Sequence, residues 1–199
     1  MRSIRVLVAL IVLLVAAAAG FVYSGVYDMS AATAEPKWRE RLFETVKDRS
    51  IDRRVAELGT AVPPLTDPKT IRTGLAHFNE MCVACHGAPG VPKSEAAMGL
   101  NPDPPDLAHE GAEQPPARLF WVVKNGIKMT GMPGFGMTHT DDQIWAVVAF
   151  LKQLPHLDPP QYAAMLKEAG VRPSPTGAEP EAAPGLAAPA PGATPPGPR

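Results

Sequence analysis

The chain has 199 residues, a formal net charge of −1 at neutral pH, 24 prolines and two cysteines. Mixed charges exclude the broad basic surface that nucleic-acid binding requires. Both thiols, Cys82 and Cys85, fall in one short motif, which leaves none for a disulfide framework or a four-thiolate zinc site. Apolar residues crowd the beginning of the chain and prolines crowd its end, so the folded part lies between them and is small enough to need a cofactor beside its core.

The N-terminal segment predicts a membrane anchor. Arg2 and Arg5 precede an uncharged apolar run that continues to Tyr27 with one interruption, at Ser24. At about 1.5 Å per residue a helix of this length reaches roughly 33 Å, enough to cross a hydrocarbon core of about 30 Å. Arginines before the run and none directly after it predict a cytoplasmic N-terminus and an exported remainder. We therefore assign residues 1–30 to a transmembrane anchor.

A cleaved signal peptide is the alternative interpretation of the same segment. Ala32, Thr33 and Ala34 form a run of small residues like those at cleavage sites. The apolar core of a signal peptide spans about 7 to 15 residues, however, and this run is longer. We expect the helix to be retained, and both interpretations place the rest of the chain outside the cytoplasm.

Residues 31–67 predict a juxtamembrane amphipathic arm. From Pro36 to about Glu57 the pattern is helical, with apolar residues such as Trp38 and Leu42 on one side and charges elsewhere. We interpret this segment as a spacer that lies near the membrane surface.

The C-terminal region, residues 158–199, predicts a short helix followed by a disordered tail. The helix is expected around Gln161 to Ala169. From Val171 onward the sequence is rich in Pro, Ala and Gly and contains no aromatic residue. Such a composition does not bury enough apolar surface to offset the entropy of ordering. We therefore expect this tail to join no core.

The segment Cys82 to His86, with the sequence CVACH, carries the chemistry. Two thiols three positions apart followed directly by histidine form the attachment pattern for a c-type haem. A thioredoxin-like pair would need a strand before the motif and a helix beginning at the first cysteine, whereas here a helix is predicted before it. Half of a zinc site would need further ligands at matching spacing, and the sequence contains no second pair.

Two predicted helices frame a small domain around this motif. The first carries Ile71 and Phe78 at helical spacing, and Gly74 between them would let another helix approach closely. The second begins at a predicted capping box, Thr140 to Gln143, and ends before Pro155. Together they suggest a packed helix crossing.

A methionine in a glycine-rich loop is the candidate second ligand. Met132 lies between Gly131 and Pro133, and a neutral thioether opposite histidine favours ferrous iron. Met129 and Met137 lie in the same stretch, so spacing alone does not choose among the three. The rigid proline and the flanking glycines favour Met132, and we expect the other two methionines to pack.

These parts in this order resemble a class I c-type cytochrome over roughly residues 68–154. The resemblance implies an all-α, cytochrome c-like haem domain, which we assign to residues 68–157, with one haem c attached covalently through Cys82 and Cys85. It further implies axial ligation of the iron by His86 and Met132.

Three further residues are implied as cofactor-binding by the same resemblance. The carbonyl of Pro105 would accept the Nδ1 proton of the haem histidine, and Leu107 would pack on the porphyrin. Trp121 lies on a segment, Leu119 to Asn125, that resembles the short helix before the methionine loop.

The resemblance implies an electron-transfer protein rather than an enzyme. Its partners would be redox proteins, with lysines such as Lys93, Lys124 and Lys128 as candidates for steering an acidic one. The segment after the anchor also resembles a group of proteobacterial membrane-anchored cytochromes, which implies a bacterial inner membrane with the haem domain on the periplasmic side. The alternatives are a haem-based sensor or peroxidase, or the haem subunit of a membrane oxidoreductase complex.

Overall fold

The computed structural model describes residues 1–59, 61–110 and 113–174, and in these ranges all regular secondary structure is helical. The α-helices there are α1 Arg2–Ser24, α2 Lys37–Leu58, α3 Pro68–Met81, α4 Val83–His86, α5 Glu95–Met98, α6 Pro116–Asn125, α7 Asp141–Leu151 and α8 Pro159–Ala169. Two 3-10 turns, Phe135–Met137 and Leu154–His156, flank α7. The predicted all-α fold is confirmed.

The centre of the domain is the crossing of α3 and α7. A Cβ atom added at Gly74 would lie 1.9 Å from the carbonyl oxygen of Ala146, so only glycine permits this approach. One turn further along, the rings of Phe78 and Phe150 contact each other with centroids 5.2 Å apart. The predicted capping box is also present, because the side chains of Thr140 and Gln143 each accept from the other's backbone N–H at the start of α7. The sequence therefore located this crossing correctly.

Helix α6 packs on the other side of α7. The Phe120 and Trp145 rings stack with centroids 4.2 Å apart and an interplanar angle of 13°. This contact fixes α6, and with it the loop that leads to the glycine-rich segment, against the core.

The folded domain extends beyond residue 157, where we predicted its end. Tyr162 and Leu166 of α8 are buried in the same core as α3 and α7. The chain after α8 also packs: Val171 contacts this core, and Asn79 of α3 donates to the carbonyl of Arg172 at 2.8 Å and accepts from the N–H of Ser174 at 3.2 Å. The expectation that the tail joins no core is therefore wrong for residues 171–174. The rest of the predicted tail, 175–199, lies outside the described residues.

Helix α2 lies where the helical arm was predicted, and its C-terminal half contacts the domain. Ile51 is buried against the domain, and the guanidinium of Arg118 on α6 forms ion pairs with Asp48, at 2.6 Å, and with Asp52. Because the Arg118 side chain is only 17% exposed, these pairs are shielded better than ordinary surface pairs. The C-terminal half of the arm is thus part of the folded unit.

Helix α1 is long and apolar enough to cross a membrane by length and composition. It is the one such helix in the described ranges, with a window of mean hydropathy 2.8 and no buried residue. The end of α1 contacts the chain that follows it, since the ring centroids of Phe21 and Tyr27 lie 6.4 Å apart.

Candidate functional site

The two cysteines lie where α3 passes into α4. The N–H of Cys82 still donates to the carbonyl of Phe78 at 2.8 Å, and the carbonyl of Cys82 accepts from the N–H of His86 at 2.9 Å. The motif therefore continues a helix that precedes it, the arrangement that distinguishes it from a thioredoxin-like pair.

The electrostatics of Cys82 also argue against a redox-active thiol pair. Burial, with a smaller effect of Cys85, raises the pKa of Cys82 to about 12. A nucleophilic or disulfide-exchanging cysteine needs a lowered pKa and access to solvent, and Cys82 is only 9% exposed. Covalent attachment to a buried cofactor fits this environment better than thiol exchange.

The imidazole of His86 is oriented by a single backbone carbonyl. Its Nδ1 lies 2.9 Å from the carbonyl oxygen of Pro105, the contact that the resemblance implied. Burial lowers the pKa of His86 against the opposing effect of that carbonyl, so the ring is neutral at pH 7. A neutral ring whose Nδ1–H donates to Pro105 leaves the Nε2 lone pair available to a metal.

Lys93 holds the segment that carries Pro105, a role that sequence reasoning missed. Its ammonium lies 2.9 Å from both carboxylate oxygens of Asp103 and also donates to the carbonyl of Pro104. The Lys93 side chain is 23% exposed. Lys93 therefore positions the Pro105 segment. This role differs from the steering of an acidic partner, for which the sequence had made it a candidate.

Lys124, the second lysine that was a candidate for steering a partner, also forms an ion pair within the protein. Its ammonium lies 2.6 Å from a carboxylate oxygen of Asp141 at the start of α7. Of the three candidate lysines, only Lys128 has an exposed side chain with no ion pair described in the residues that the structure covers.

The three methionines of the glycine-rich region differ in burial. Met132 is half-buried and packs against the core cluster, whereas Met129 is 83% exposed and Met137 is 96% exposed. The expectation that Met129 and Met137 pack in the domain is therefore wrong. Of the three methionines, Met132 is the one that contacts the core.

Hydrogen bonds close the loop before Met132. The Thr130 hydroxyl donates to the carbonyl of Ile127 at 2.7 Å and accepts from the N–H of Met132 at 3.1 Å. The N–H of Ile127 in turn donates to the carbonyl of Met132, at 3.1 Å. The backbone of Met132 is thus held at both its N–H and its carbonyl.

The glycines of this loop allow it to pack closely against other parts of the protein. A Cβ atom at Gly134 would lie 2.7 Å from the carbonyl oxygen of Asn125, and one at Gly131 would lie 2.8 Å from Leu100. Gly126, which follows α6 with φ +67°, meets the backbone of Met132 to Gly134 equally closely. The loop is therefore pressed onto the end of α6.

The remaining predicted cofactor residues do not share one cavity with His86. A cavity of about 420 Å³ is lined by His86, by the segment that follows it and by the region where α8 begins. Leu107, Trp121 and Met132 are half-buried outside that cavity. The structure therefore brings His86 and Pro105 into contact and leaves the other contacts to the cofactor as predictions.

These residues fit a c-type haem. The fit rests on the buried Cys82 beside Cys85 at a helix end, the oriented neutral His86 and the inward Met132. No group of three or more His, Cys, Asp or Glu side chains suited to another metal occurs among the described residues.

Comparison with known proteins agrees with this chemistry. The family model described as cytochrome c oxidase, cbb3-type, subunit III matches residues 69–151. No curated protein matches the chain. The match begins in α3, includes the CVACH motif and the methionine loop, and ends with α7. The chain therefore carries a cytochrome c domain, consistent with a class I c-type cytochrome, which implies covalently bound haem c and haem-based electron transfer.

Proposed function

We propose that this chain is a one-electron carrier with a single haem c attached to Cys82 and Cys85 and with His86 and Met132 as its axial ligands. When bound, the haem supplies a one-electron couple whose potential depends on ligands, burial and hydrogen bonding. Two protein ligands leave no open position for a substrate, which distinguishes a carrier from a haem sensor or peroxidase.

The observation that carries the proposal is the contact of His86 with Pro105. This hydrogen bond sets the tautomer and direction of the imidazole, because it engages Nδ1 and leaves Nε2 for the metal. Lys93 fixes the acceptor side through Asp103. A ligand held in this way keeps nearly the same geometry in both oxidation states, which favours fast electron exchange.

The Met132 assignment rests on the loop geometry. Thr130 and Ile127 hold the backbone of Met132, and its side chain packs inward while its two neighbouring methionines face solvent. A thioether ligand would raise the reduction potential relative to a second histidine.

The ligand assignment is tested by replacing each methionine in the holoprotein. Met132→Ala should abolish the weak sulfur-to-iron absorption band of the oxidised protein, lower its potential and let the reduced protein bind carbon monoxide. Met129→Leu and Met137→Leu are matched controls on exposed positions, and the band should persist in both. Loss of the band in either control would move the ligand there, and its survival in Met132→Ala would refute the assignment.

Covalent attachment is tested separately. Cys82→Ala combined with Cys85→Ala should give no haem staining on a denaturing gel and no stable domain, because a core of this size depends on its cofactor. Staining that survives in the double variant would contradict attachment at these residues.

We further propose that α1 anchors the protein in a bacterial inner membrane with the haem domain on the periplasmic side. The length and hydropathy of α1 support a span, and the arginines at positions 2 and 5 support a cytoplasmic N-terminus. The protein should fractionate with membranes and resist extraction by high salt. Recovery of a free periplasmic form beginning at Glu35 would show that the helix is a cleaved signal sequence.

A second candidate function is the haem subunit of a membrane oxidoreductase complex. The matched family is described as a subunit of an oxidase, and this description favours such an assembly. Copurification of a larger membrane complex in mild detergent would support it, whereas a protein that exchanges electrons as an isolated species would support an independent carrier. The donor and acceptor in either case are redox proteins.

A further inference from the structure

Helix α2 presents two opposite faces with different chemistry. Its acidic residues form one row at every fourth position, Glu40, Glu44, Asp48 and Asp52. A second row begins two positions earlier with Trp38, Leu42 and Val46. Because each residue turns the helix by about 100°, rows two positions apart lie on nearly opposite sides.

The C-terminal part of the acidic row contacts the domain. Asp48 and Asp52 pair with Arg118 of α6, and Ile51 beside them is buried. These contacts fix the rotation of α2 about its own axis. The apolar row is consequently directed away from the haem domain and cannot turn toward it while the Arg118 pairs persist.

The apolar face has no protein neighbour that covers it among the described residues. Trp38 is 68% exposed, Leu42 52% and Val46 57%, and the adjacent Phe43 is 60% exposed. We call these four residues the α2 stripe. Four large apolar side chains in one continuous strip are more than scattered surface residues and mark an interaction surface.

The start of α2 is held beside the end of the apolar helix α1. The Arg39 guanidinium lies 4.7 Å from the ring centroid of Tyr27, and that ring contacts Phe21 in the last turns of α1. Arg39 also pairs with Glu35, just before α2. The α2 stripe therefore begins where α1 would emerge from a membrane.

Charge completes the pattern that lipid surfaces recognise. On the side of the stripe, the next turns of α2 carry the exposed side chains of Arg49 and Arg53. Arg53 pairs with Glu57, at 3.0 Å, whereas Arg49 has no ion pair among the residues that the structure describes. A helix with large apolar residues on one face and basic residues bordering that face binds in the plane of an anionic membrane surface, with its apolar side chains about 5 to 10 Å deep.

We propose that the α2 stripe inserts into the outer surface of the membrane that α1 spans, with Arg49 bound to an anionic phospholipid headgroup. This inference rests on the proposed anchor. Because Arg118 joins α2 to α6, the inserted helix would hold the haem domain in one orientation on the bilayer, and the domain would not swing freely on a tether.

The test uses the full-length holoprotein, in which both native cysteines are bound to haem, so that an introduced cysteine is the one free thiol. Leu42→Cys places a spin label on the stripe. Glu44→Cys is the matched control, two positions away on the opposite, exposed face. Each labelled protein is reconstituted into phosphatidylcholine vesicles with and without phosphatidylglycerol, and the haem spectrum verifies folding.

The measurement is the accessibility of each label to oxygen, which partitions into lipid, and to a water-soluble nickel chelate. We expect the label at position 42 to favour oxygen and the label at position 44 to favour nickel. The preference at position 42 should weaken without phosphatidylglycerol. An aqueous label at both positions would overturn the proposal, and so would a label at position 42 that is shielded from both reagents, because a protein would then cover the stripe. Equal depth in both kinds of vesicle would overturn the role of Arg49.

Flotation of the same vesicles separates this proposal from the anchor. Protein that floats and resists salt, but whose stripe is aqueous, retains its anchor and refutes only the insertion of α2. Protein that fails to float refutes the anchor and the insertion together.

Discussion

Replacing Gly74 by alanine tests whether the α3 and α7 crossing controls stability. The added Cβ atom would lie 1.9 Å from the carbonyl oxygen of Ala146, 2.5 Å from its carbonyl carbon and 2.9 Å from the Cβ atom of Phe150. Two of these neighbours are backbone atoms, so no side-chain rotation relieves the overlap and the helices must separate by more than 1 Å. Alanine has the better helix propensity, worth about 1 kcal/mol, and acts in the opposite direction.

The free-energy cost of separating α3 and α7 should exceed the gain in helix propensity from alanine. Overpacking a core costs about 1 to 3 kcal/mol even where side chains adjust, and here the Phe78 and Phe150 contact would loosen as well. We expect a loss of about 3 kcal/mol or more in the free energy of unfolding, a large part of a typical total of about 5 to 15 kcal/mol. Denaturant unfolding of the holoprotein, followed by circular dichroism, measures it.

Gly99→Ala is the matched control for this substitution. Its Cβ atom would meet only the carbonyl oxygen of Ala96, at 3.6 Å, an ordinary contact distance. The control should unfold within about 0.5 kcal/mol of the native protein. Equal stability of the Gly74→Ala and Gly99→Ala variants would refute the argument that this crossing depends on the missing side chain.

Two further predictions concern the C-terminal segment and pH. Truncation after Ala169 should lower the free energy of unfolding by about 1 to 3 kcal/mol, because it leaves the buried Asn79 amide without its backbone partners. Truncation after Ser174 keeps these partners and should leave stability unchanged. Equal thermal midpoints of the two truncated proteins would refute this prediction. Burial, and then the nearby His139, lower the pKa of His77. Below about pH 6.5 His77 therefore binds a proton more readily in the unfolded chain than in the folded state, so the free energy of unfolding should decrease as the pH is lowered. His77→Gln should weaken this pH dependence in unfolding curves between pH 7 and 5.

Local sequence signals predicted the parts of the fold that depend on neighbouring residues. The capping box at Thr140 needs only side chains three positions apart, and it is present in the structure. The close helix approach at Gly74 was predictable from the sequence. Glycine destabilises a helix, so its presence in an apolar helical stripe indicates a packing role. In the same way, the CVACH motif needs no long-range information, since spacing alone brings both thiols and the histidine together.

Long-range electrostatic contacts were not predictable in the same way. Lys93 and Lys124 looked like solvated surface charges, and nothing in their local sequence indicates that Asp103 and Asp141 lie within hydrogen-bonding distance. The contact of Arg118 with α2 joins residues more than sixty positions apart. Ion pairs of this kind depend on the packing of whole helices, which no periodicity in the sequence encodes.

Composition did not predict the ordered placement of residues 171–174, which a buried polar group on α3 stabilises. Val171 to Ser174 begin a Pro, Ala and Gly-rich region, and an average over that region predicts no ordered structure. Asn79, at 5% exposure, nevertheless needs partners for its amide, and the backbone of Arg172 and Ser174 supplies them together with the Tyr162 hydroxyl. The cost of burying an unpaired amide, about 1 to 3 kcal/mol, is comparable to the entropy of ordering a residue or two. The placement of Arg172 and Ser174 therefore depends on a residue of α3 that lies more than ninety positions earlier in the chain, and the local composition does not reveal it.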